Sequence, residues 1–371
     1  MTLEIFIILN FSIYILSLVY FFFGSFKKSN NNSKKIKKFS AGVSVILCVR
    51  NGEDSIFNIL DDLQKQIYDN DLEFIIVDDN STDETKSIID KFIEQNNNFK
   101  YVSSKKGNQL LKHKKRALDA GITAAQYEIL LFTDVDCRVN NKWVESMASN
   151  FINQDYVIGY SSVRNNSLLV SKFQKLDFLM LMISAYSSCN KGNPLACSGQ
   201  NQAYRKSLFN MVGGFNKISK LLQGDDSIFL NICKKYKEIN IGFSQLPNSF
   251  VSSKSFNSWS DFFIQRIRWA GDANIMWKYN KLFYIIIIST FISNLSCMIF
   301  PILKNINYNL IICLIILKFI FEFLLYNRAI KIFHENFNLF EFIFWFIIQI
   351  PYVVLMGVCS FFQSNIKWKG R

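Results

Sequence analysis

The chain has 371 residues, half of them hydrophobic and 37 of them Phe, with a formal net charge of +13. That length holds one catalytic domain of ordinary size plus further segments, and the apolar content argues against a wholly soluble chain. Eight Cys are scattered without a C-x-x-C pair and the only His are His113 and His334. This argues against a disulfide framework or zinc site and excludes histidine-rich metal chemistry, so any metal must be held by carboxylates, which favours Mg2+ or Mn2+.

The first element, residues 5–23, carries no charge and is long enough to cross a roughly 30 Å hydrocarbon layer as a helix. No basic residue precedes it and no small-residue cleavage signal follows, so residues 1–26 read as an uncleaved anchor. Residues 27–40 form a basic linker rich in Asn and Ser, with Lys27, Lys28, Lys34, Lys35, Lys37 and Lys38 and no acidic residue. The positive-inside bias places this side in the cytoplasm. A basic linker beside an anionic leaflet accounts for much of the net charge, and no nucleic-acid motif accompanies it, so a membrane rather than a nucleic acid is the expected partner.

Residues 41–255 are a polar mixture with short apolar runs and read as the catalytic domain. A β-branched strand over 43–49 is followed by a helix over 56–66, with Ile56, Ile59, Leu60 and Leu63 at helical spacing. A second strand covers 73–78. Ser81 and Glu84 form a capping-box pattern that opens a helix through Glu94. Strands at 99–103 and 128–133 flank a helix around 116–125. This alternation predicts a parallel sheet with helices on its faces, and in such sheets ligands sit beyond the carboxyl ends of the strands. Polar residues bunch at those ends: Arg50 and Asn51, Asp78 and Asp79, Asp134 and Asp136. Neither G-x-G-x-x-G nor a P-loop is present, which leaves a nucleotide site built from carboxylates and a metal-bridged diphosphate.

Asp134 and Asp136 directly follow an apolar strand, where they suit either a metal bridge or a capped turn. Asp78 and Asp79 suit helix capping with Ser81, Thr82 and Asp83, and also acceptance of a hydrogen bond from a base or ribose. Gly224-Asp225-Asp226 serves equally as an N-cap or as a pair whose mutual repulsion raises one proton affinity, as a general base requires. Residues 256–281 carry Phe256, Trp259, Phe262, Phe263 and Trp269 and read as an interfacial helix, on which the Arg268 guanidinium suits a phosphate clamp. Residues 282–371 form a membrane region with two or three apolar segments at 282–303, 310–325 and 339–362. Full crossing by all three puts Lys367, Lys369 and Arg371 outside, against the positive-inside bias. Pro351 therefore predicts a kink or re-entrant bend in the last segment; the alternative is that 310–325, short and carrying Lys318 and Glu322, does not span.

Taken in order, these residues resemble the inverting family 2 glycosyltransferases of GT-A fold, in particular the membrane-bound branch with cellulose, chitin and hyaluronan synthases and ceramide glucosyltransferase. The resemblance runs over about 43–269. It implies a Rossmann-like mixed sheet with flanking helices. Residues 43–53 resemble the opening strand and uridine loop, which implies nucleotide contacts at Val49, Asn51 and Glu53, with Arg50 where many members carry an aromatic. Residues 77–85 match V-D-D-x-S-x-D-x-T, implying that Asp79 contacts the nucleoside. Residues 114–118 resemble G-K-x-x-A-L, with Lys114 approaching the nucleotide and His113 in place of the glycine. Residues 133–137 resemble the metal-binding T-D-A-D segment, residues 198–209, with Gln200 and Asn201, the segment that walls the acceptor pocket, and Gln265, Arg268 and Trp269 match Q-x-x-R-W near diphosphate and acceptor. By the same likeness Asp226 is the catalytic base, with Asp225 beside it.

The implied reaction is a single displacement at the anomeric carbon of a nucleotide sugar, UDP-linked by resemblance, with a divalent metal held chiefly by Asp136 with Asp134 nearby, a membrane-associated lipid or glycan acceptor, and the catalytic domain on the cytoplasmic face of the plasma membrane. Rival readings are a processive polysaccharide synthase, a noncatalytic sugar-nucleotide binding protein and a nucleotidyltransferase.

Overall fold

The computed structural model describes residues 2–26, 39–303 and 307–365. The linker lysines and the tail residues Lys367, Lys369 and Arg371 lie outside the described residues. The chain divides into two units, one of Met1–Lys28, Val163–Leu195 and Ser255–Arg371, the other of Ser29–Ser162 and Ala196–Lys254.

In chain order, α1 (Thr2–Gly24) is followed by β1 (Val43–Val49), α2 (Glu53–Gln64), β2 (Leu72–Asp78), α3 (Thr85–Ile93), β3 (Phe99–Ser103), α4 (His113–Ala124), β4 (Ile129–Asp134), β5 (Cys137–Val139), α5 (Trp143–Ala148), β6 (Tyr156–Ile158) and β7 (Ser161–Val163). Then come α6 (Leu169–Asn190), β8 (Gln202–Arg205), α7 (Lys206–Met211), α8 (Ser227–Cys233), β9 (Ile241–Phe243) and β10 (Val251–Ser253). The last helices are α9 (Trp259–Ile275), α10 (Lys281–Ile299), α11 (Tyr308–Phe333) and α12 (Leu339–Cys359).

The α/β unit is built on a seven-stranded sheet of order β3-β2-β1-β4-β8-β6-β9. The strands β3, β2, β1 and β4 are parallel, as the strand–helix rhythm predicts. Buried on both faces, β1, β2 and β4 are near-continuous apolar runs; Val43, Val45, Ile46 and Leu47 of β1 have no exposed surface. The sheet is mixed, because β8 runs antiparallel to both β4 and β6. Past β4 the strands shorten to three or four residues, too few for an alternating pattern to register. The capping box is not formed: α3 begins at Thr85 with Glu84 at its N-cap, and Ser81 instead accepts a hydrogen bond from the Asn51 N–H.

The other unit comprises α1, α6 and α9 to α12. It thus includes α6, which lies within the 41–255 span read as the catalytic domain. Apolar contacts surround α6 on several sides, with Phe173, Leu176, Phe178, Leu179 and Ile183 all buried, and it packs against α1, α11 and α12. Lys172 and Lys175 tie it to Glu341 (3.6 Å) and Glu335 (2.8 Å). A Cβ on Gly24, where α1 ends, would lie 2.5 Å from the Ser187 carbonyl oxygen of α6, so only glycine permits this approach.

Among the described residues, four helices are long and apolar enough to cross a membrane: Leu3–Gly24, Lys281–Ile302, Tyr308–Phe333 and Leu339–Phe362. The helices α1 and α11 run in the same direction, since Glu4 accepts from the Asn307 N–H (2.9 Å) at one end and Arg328 donates to the Ser25 hydroxyl (3.1 Å) and carbonyl (3.0 Å) at the other. The helix α12 continues unbroken through Pro351. The re-entrant bend expected there is absent, because a proline removes one intrahelical hydrogen bond and neighbouring helices can support the freed carbonyl.

Among these apolar helices, Lys318 and Glu322 are buried and paired at 2.9 and 3.0 Å. Glu322 also accepts from the Tyr14 hydroxyl of α1 and from Gln349 of α12 at 2.7 Å. A carboxylate in such surroundings persists only when paired and hydrogen-bonded, and here its partners come from three helices. Lys318→Met should therefore cost roughly 3–5 kcal/mol, read as a lower melting temperature in detergent. The double variant Lys318→Met/Glu322→Gln should recover most of it; a double variant no more stable than the single one would refute this account.

Candidate active site

The loops after β1 and β2 hold one another. Arg50 donates to the carbonyls of Asp79 (2.9 Å) and Asn80 (3.0 Å), and Asn51 accepts from the Thr82 N–H (2.9 Å). The Gly52 N–H donates to Thr85 Oγ1 (2.8 Å), and the Glu53 carboxylate accepts from the Glu84 N–H (2.9 Å). Asn51 and Asn80 take left-handed φ values of 46° and 56°, a region that Asn enters more readily than most residues. Of the expected nucleotide contacts, Val49, Asn51, Glu53 and Asp79 are thus brought together, with the Asp79 N–H donating to the Val49 carbonyl (2.8 Å). Arg50, standing where an aromatic was expected, braces this turn.

The beginning of α4 faces the other strand ends. Lys114 reaches Asp134 at 2.7 Å and Asp225 at 3.7 Å, and Arg116 lies 4.0 Å from Asp79. Burial opposes the charge on Lys114, but the two carboxylates outweigh it and hold the ammonium above its ordinary pKa. His113 has φ 52°. The G-K-x-x-A-L likeness has glycine at this place, and the left-handed backbone supplies the reason for one there.

Gly224, at φ 103°, turns the chain into Asp225 and Asp226. Asp226 accepts from the Ser227 N–H as the N-cap of α8. Burial, then the adjacent Asp225 carboxylate, push the Asp226 carboxyl up to about 6, against the opposing pull of Lys114 and the Ser227 and Gly199 N–H groups. The cap and the raised proton affinity are therefore properties of one side chain. A Cβ built on Gly199 would lie 3.4 Å from the Lys114 ammonium and 3.8 Å from carboxylate oxygens of both Asp225 and Asp226, so these groups converge on one point.

Asp136 stands in the turn between β4 and β5, where its carbonyl accepts from the Lys254 N–H at 3.1 Å. Among the described residues no group of three or more His, Cys, Asp or Glu side chains is gathered to hold a metal. Two carboxylates after one strand, with Asp134 engaged by Lys114, fit a hard ion that takes its remaining ligands from diphosphate and water.

One placement differs from its expectation. Asn201, expected to wall an acceptor pocket, has no exposed surface; it accepts from Trp143 Nε1 (3.1 Å) and donates to the carbonyls of Tyr160 and Ser249 (2.8 Å each). Its place in the sequence next to the partly exposed Gln200 hides this, because its burial depends on Trp143, Tyr160 and Ser249, all remote in sequence. Gln265, Arg268 and Trp269 lie on α9 in the helical unit. Between Gln265 and Arg268, Arg266 is buried, paired with Asp177 at 3.0 Å and stacked 4.2 Å from the Trp269 ring. Arg266 went unnoticed in the sequence, although its i,i+3 spacing to Trp269 places both on one helix face.

A family model described as glycosyl transferase family group 2 matches residues 129–360, and one described as glycosyl transferase family 2 matches residues 44–213. The chain belongs to this glycosyltransferase family. Its fold is the GT-A fold, and a mannosyltransferase from Pyrobaculum calidifontis, solved in complex with GDP-Man and Mn2+, shares that fold with a TM-score of 0.60 over 98% of both chains at 15% identity. A probable glycosyltransferase of Bacillus subtilis, YdaM, is 26% identical over 266 residues, covering 69% of this chain and 60% of its own. The poly-beta-1,6-N-acetyl-D-glucosamine synthase of Staphylococcus aureus is 29% identical over 144 residues, covering 38% of this glycosyltransferase and 34% of its own length. The chain therefore spans less than two thirds of either relative.

Proposed function

We propose that this glycosyltransferase moves a sugar from a nucleoside-diphosphate sugar, UDP-linked by resemblance, to a membrane-held lipid or glycan acceptor, inverting the anomeric carbon. The observation that carries this reading is the convergence of Asp134, Asp225 and Asp226 on Lys114, on the α4 turn whose Arg116 reaches toward Asp79. Asp79, Asn51 and the backbone of the clasped loops receive the nucleoside. Asp226 takes the proton of the acceptor hydroxyl as that oxygen attacks, and Asp225 keeps its proton affinity high enough to do so. Asp136 and Asp134 hold a divalent metal, Mg2+ or Mn2+, which when bound offsets the charge of the departing diphosphate. Roles for Gln265, Arg268 and Trp269 rest on the Q-x-x-R-W resemblance.

The four apolar helices support a multi-pass protein of the plasma membrane, and the lysine-rich linker supports a cytoplasmic catalytic unit. A processive synthase is the second reading, favoured by the likeness to the Staphylococcus aureus enzyme; product length separates the two.

Purified protein given labelled UDP- and GDP-sugars and membrane lipid should transfer sugar only with added Mg2+ or Mn2+. Asp136→Asn should lose this turnover and keep its melting temperature. Equal transfer after chelation would remove the metal from the mechanism. Asp226→Asn should lose about 10²–10⁴ in kcat and retain donor affinity, and kcat/KM of the parent should rise as pH passes about 6, where Asp226 ionises in the free enzyme. The sign for stability is opposite: a carboxyl whose folded pKa is raised makes the folded state less stable as pH rises from about 4 to about 6, so Asp226→Asn should melt no lower than the parent at pH 8. Near-normal transfer by this variant would end the assignment of the base. Finally, a cysteine at Lys34, in a background without native Cys, should resist a membrane-impermeant thiol reagent in intact cells and react after permeabilisation; labelling of intact cells would reverse the orientation.

A further inference from the structure

Beside Lys114 stands a second lysine to which the sequence gives no part. Lys115 has no exposed surface, although lysine almost never loses all contact with water unless its ammonium is matched by acceptors. Its ammonium donates to the carbonyls of Leu221 and Gln223, the latter at 3.1 Å. Those carbonyls belong to the segment that leads directly into Gly224, Asp225 and Asp226. The segment has little other regular structure: after a short 3-10 turn over Asn216–Ile218 no helix or strand intervenes before α8. Gly224, with its left-handed φ, adds a flexible joint immediately before the two carboxylates.

From this geometry we infer that Lys115 is a positioning residue for the base loop: it fixes the carbonyls of 221 and 223 to α4 and so sets where Asp226 meets the acceptor hydroxyl. The inference rests on the assignment of Asp226 as base. Lys115 acts through the backbone of the loop. Its neighbour Lys114 answers the carboxylates through its side chain, while Lys115 answers the backbone ahead of them. Both ends of the loop are thus referred to one helical turn. Positioning of this kind matters because a general base displaced by about 1 Å can cost about 10² in rate.

The test is a double-mutant cycle. Lys115→Met keeps the aliphatic stem and removes the donors. It should lower kcat at least tenfold, with the donor KM and the binding of UDP within twofold of the parent. In an Asp226→Asn background the same substitution should have little further effect on the residual kcat, because there is no longer a base to place. A structural contribution alone would lower kcat equally in both backgrounds, and that result would overturn the inference. So would near-parent kcat for Lys115→Met. If Lys115→Met does not fold, Lys115→Gln, which retains a donor on a shorter stem, enters the same cycle with the same criteria. Near-normal transfer by Asp226→Asn alone would instead remove the assignment of the base, a result distinguishable from failure of the Lys115 inference.

Discussion

Three carboxylates and one ammonium set the architecture of the catalytic unit. Unit charges about 4 Å apart interact by about 4 kcal/mol at the effective dielectric of a protein surface, so Asp134, Asp225 and Asp226 cannot be gathered without a cation among them. Lys114 is that cation. Its helix bears three consecutive basic residues in the first turn, and each has a separate acceptor: Lys114 the carboxylates, Lys115 the backbone of 221 and 223, Arg116 the neighbourhood of Asp79. A helix N-terminus disfavours positive charge by a few tenths of a kcal/mol to about 1 kcal/mol per group. The acceptors outweigh that cost, and the result is one helical turn to which two strand ends and the segment before α8 are referred.

The helical unit follows the same rule in a drier setting. Glu322 is satisfied by Lys318, Tyr14 and Gln349, and Asp177 is ion-paired with Arg266. Burial raises the proton affinity of Asp177, while the guanidinium opposes this. Truncating either partner leaves the other buried and uncompensated, whereas apolar replacement of both is often tolerated. Such pairs specify which helices meet more than they add net stability, and they connect helices far apart in sequence.

How much of this was legible depended on the length of the signal. The strands β1, β2 and β4 declare themselves because both faces are buried and the polar residues after them mark their ends. The antiparallel strands do not, since three or four residues carry no periodicity. The helix α6 lies within the polar span of 41–255, yet it groups with the apolar helices; its Lys172, Lys175 and Asp177 are paired with Glu341, Glu335 and Arg266. The pattern of Ser81 and Glu84 misled because Ser81 had a nearer partner in the Asn51 N–H. The acidic pairs were visible as pairs. That Lys115 and Arg266 were buried was not, because burial of a cation depends on acceptors remote in sequence.

The strand order carries a consequence for biosynthesis. Within the sheet, β6 is bonded to β8 and β9, and β8 alone joins that half to β4. Yet β6 precedes α6 in the chain and β8 follows it. During synthesis the parallel half can assemble as it emerges, while β6 has no neighbour to pair with until the whole of α6 has been made. The acidic residues of the candidate site are divided by the same interruption, Asp134 and Asp136 before it and Asp225 and Asp226 after it. Closing such long-range pairings is slow and leaves strand edges exposed in the meantime. A nascent chain arrested before β8 therefore carries half a sheet and half an active site, and the acidic cluster comes into being only when translation has passed α6.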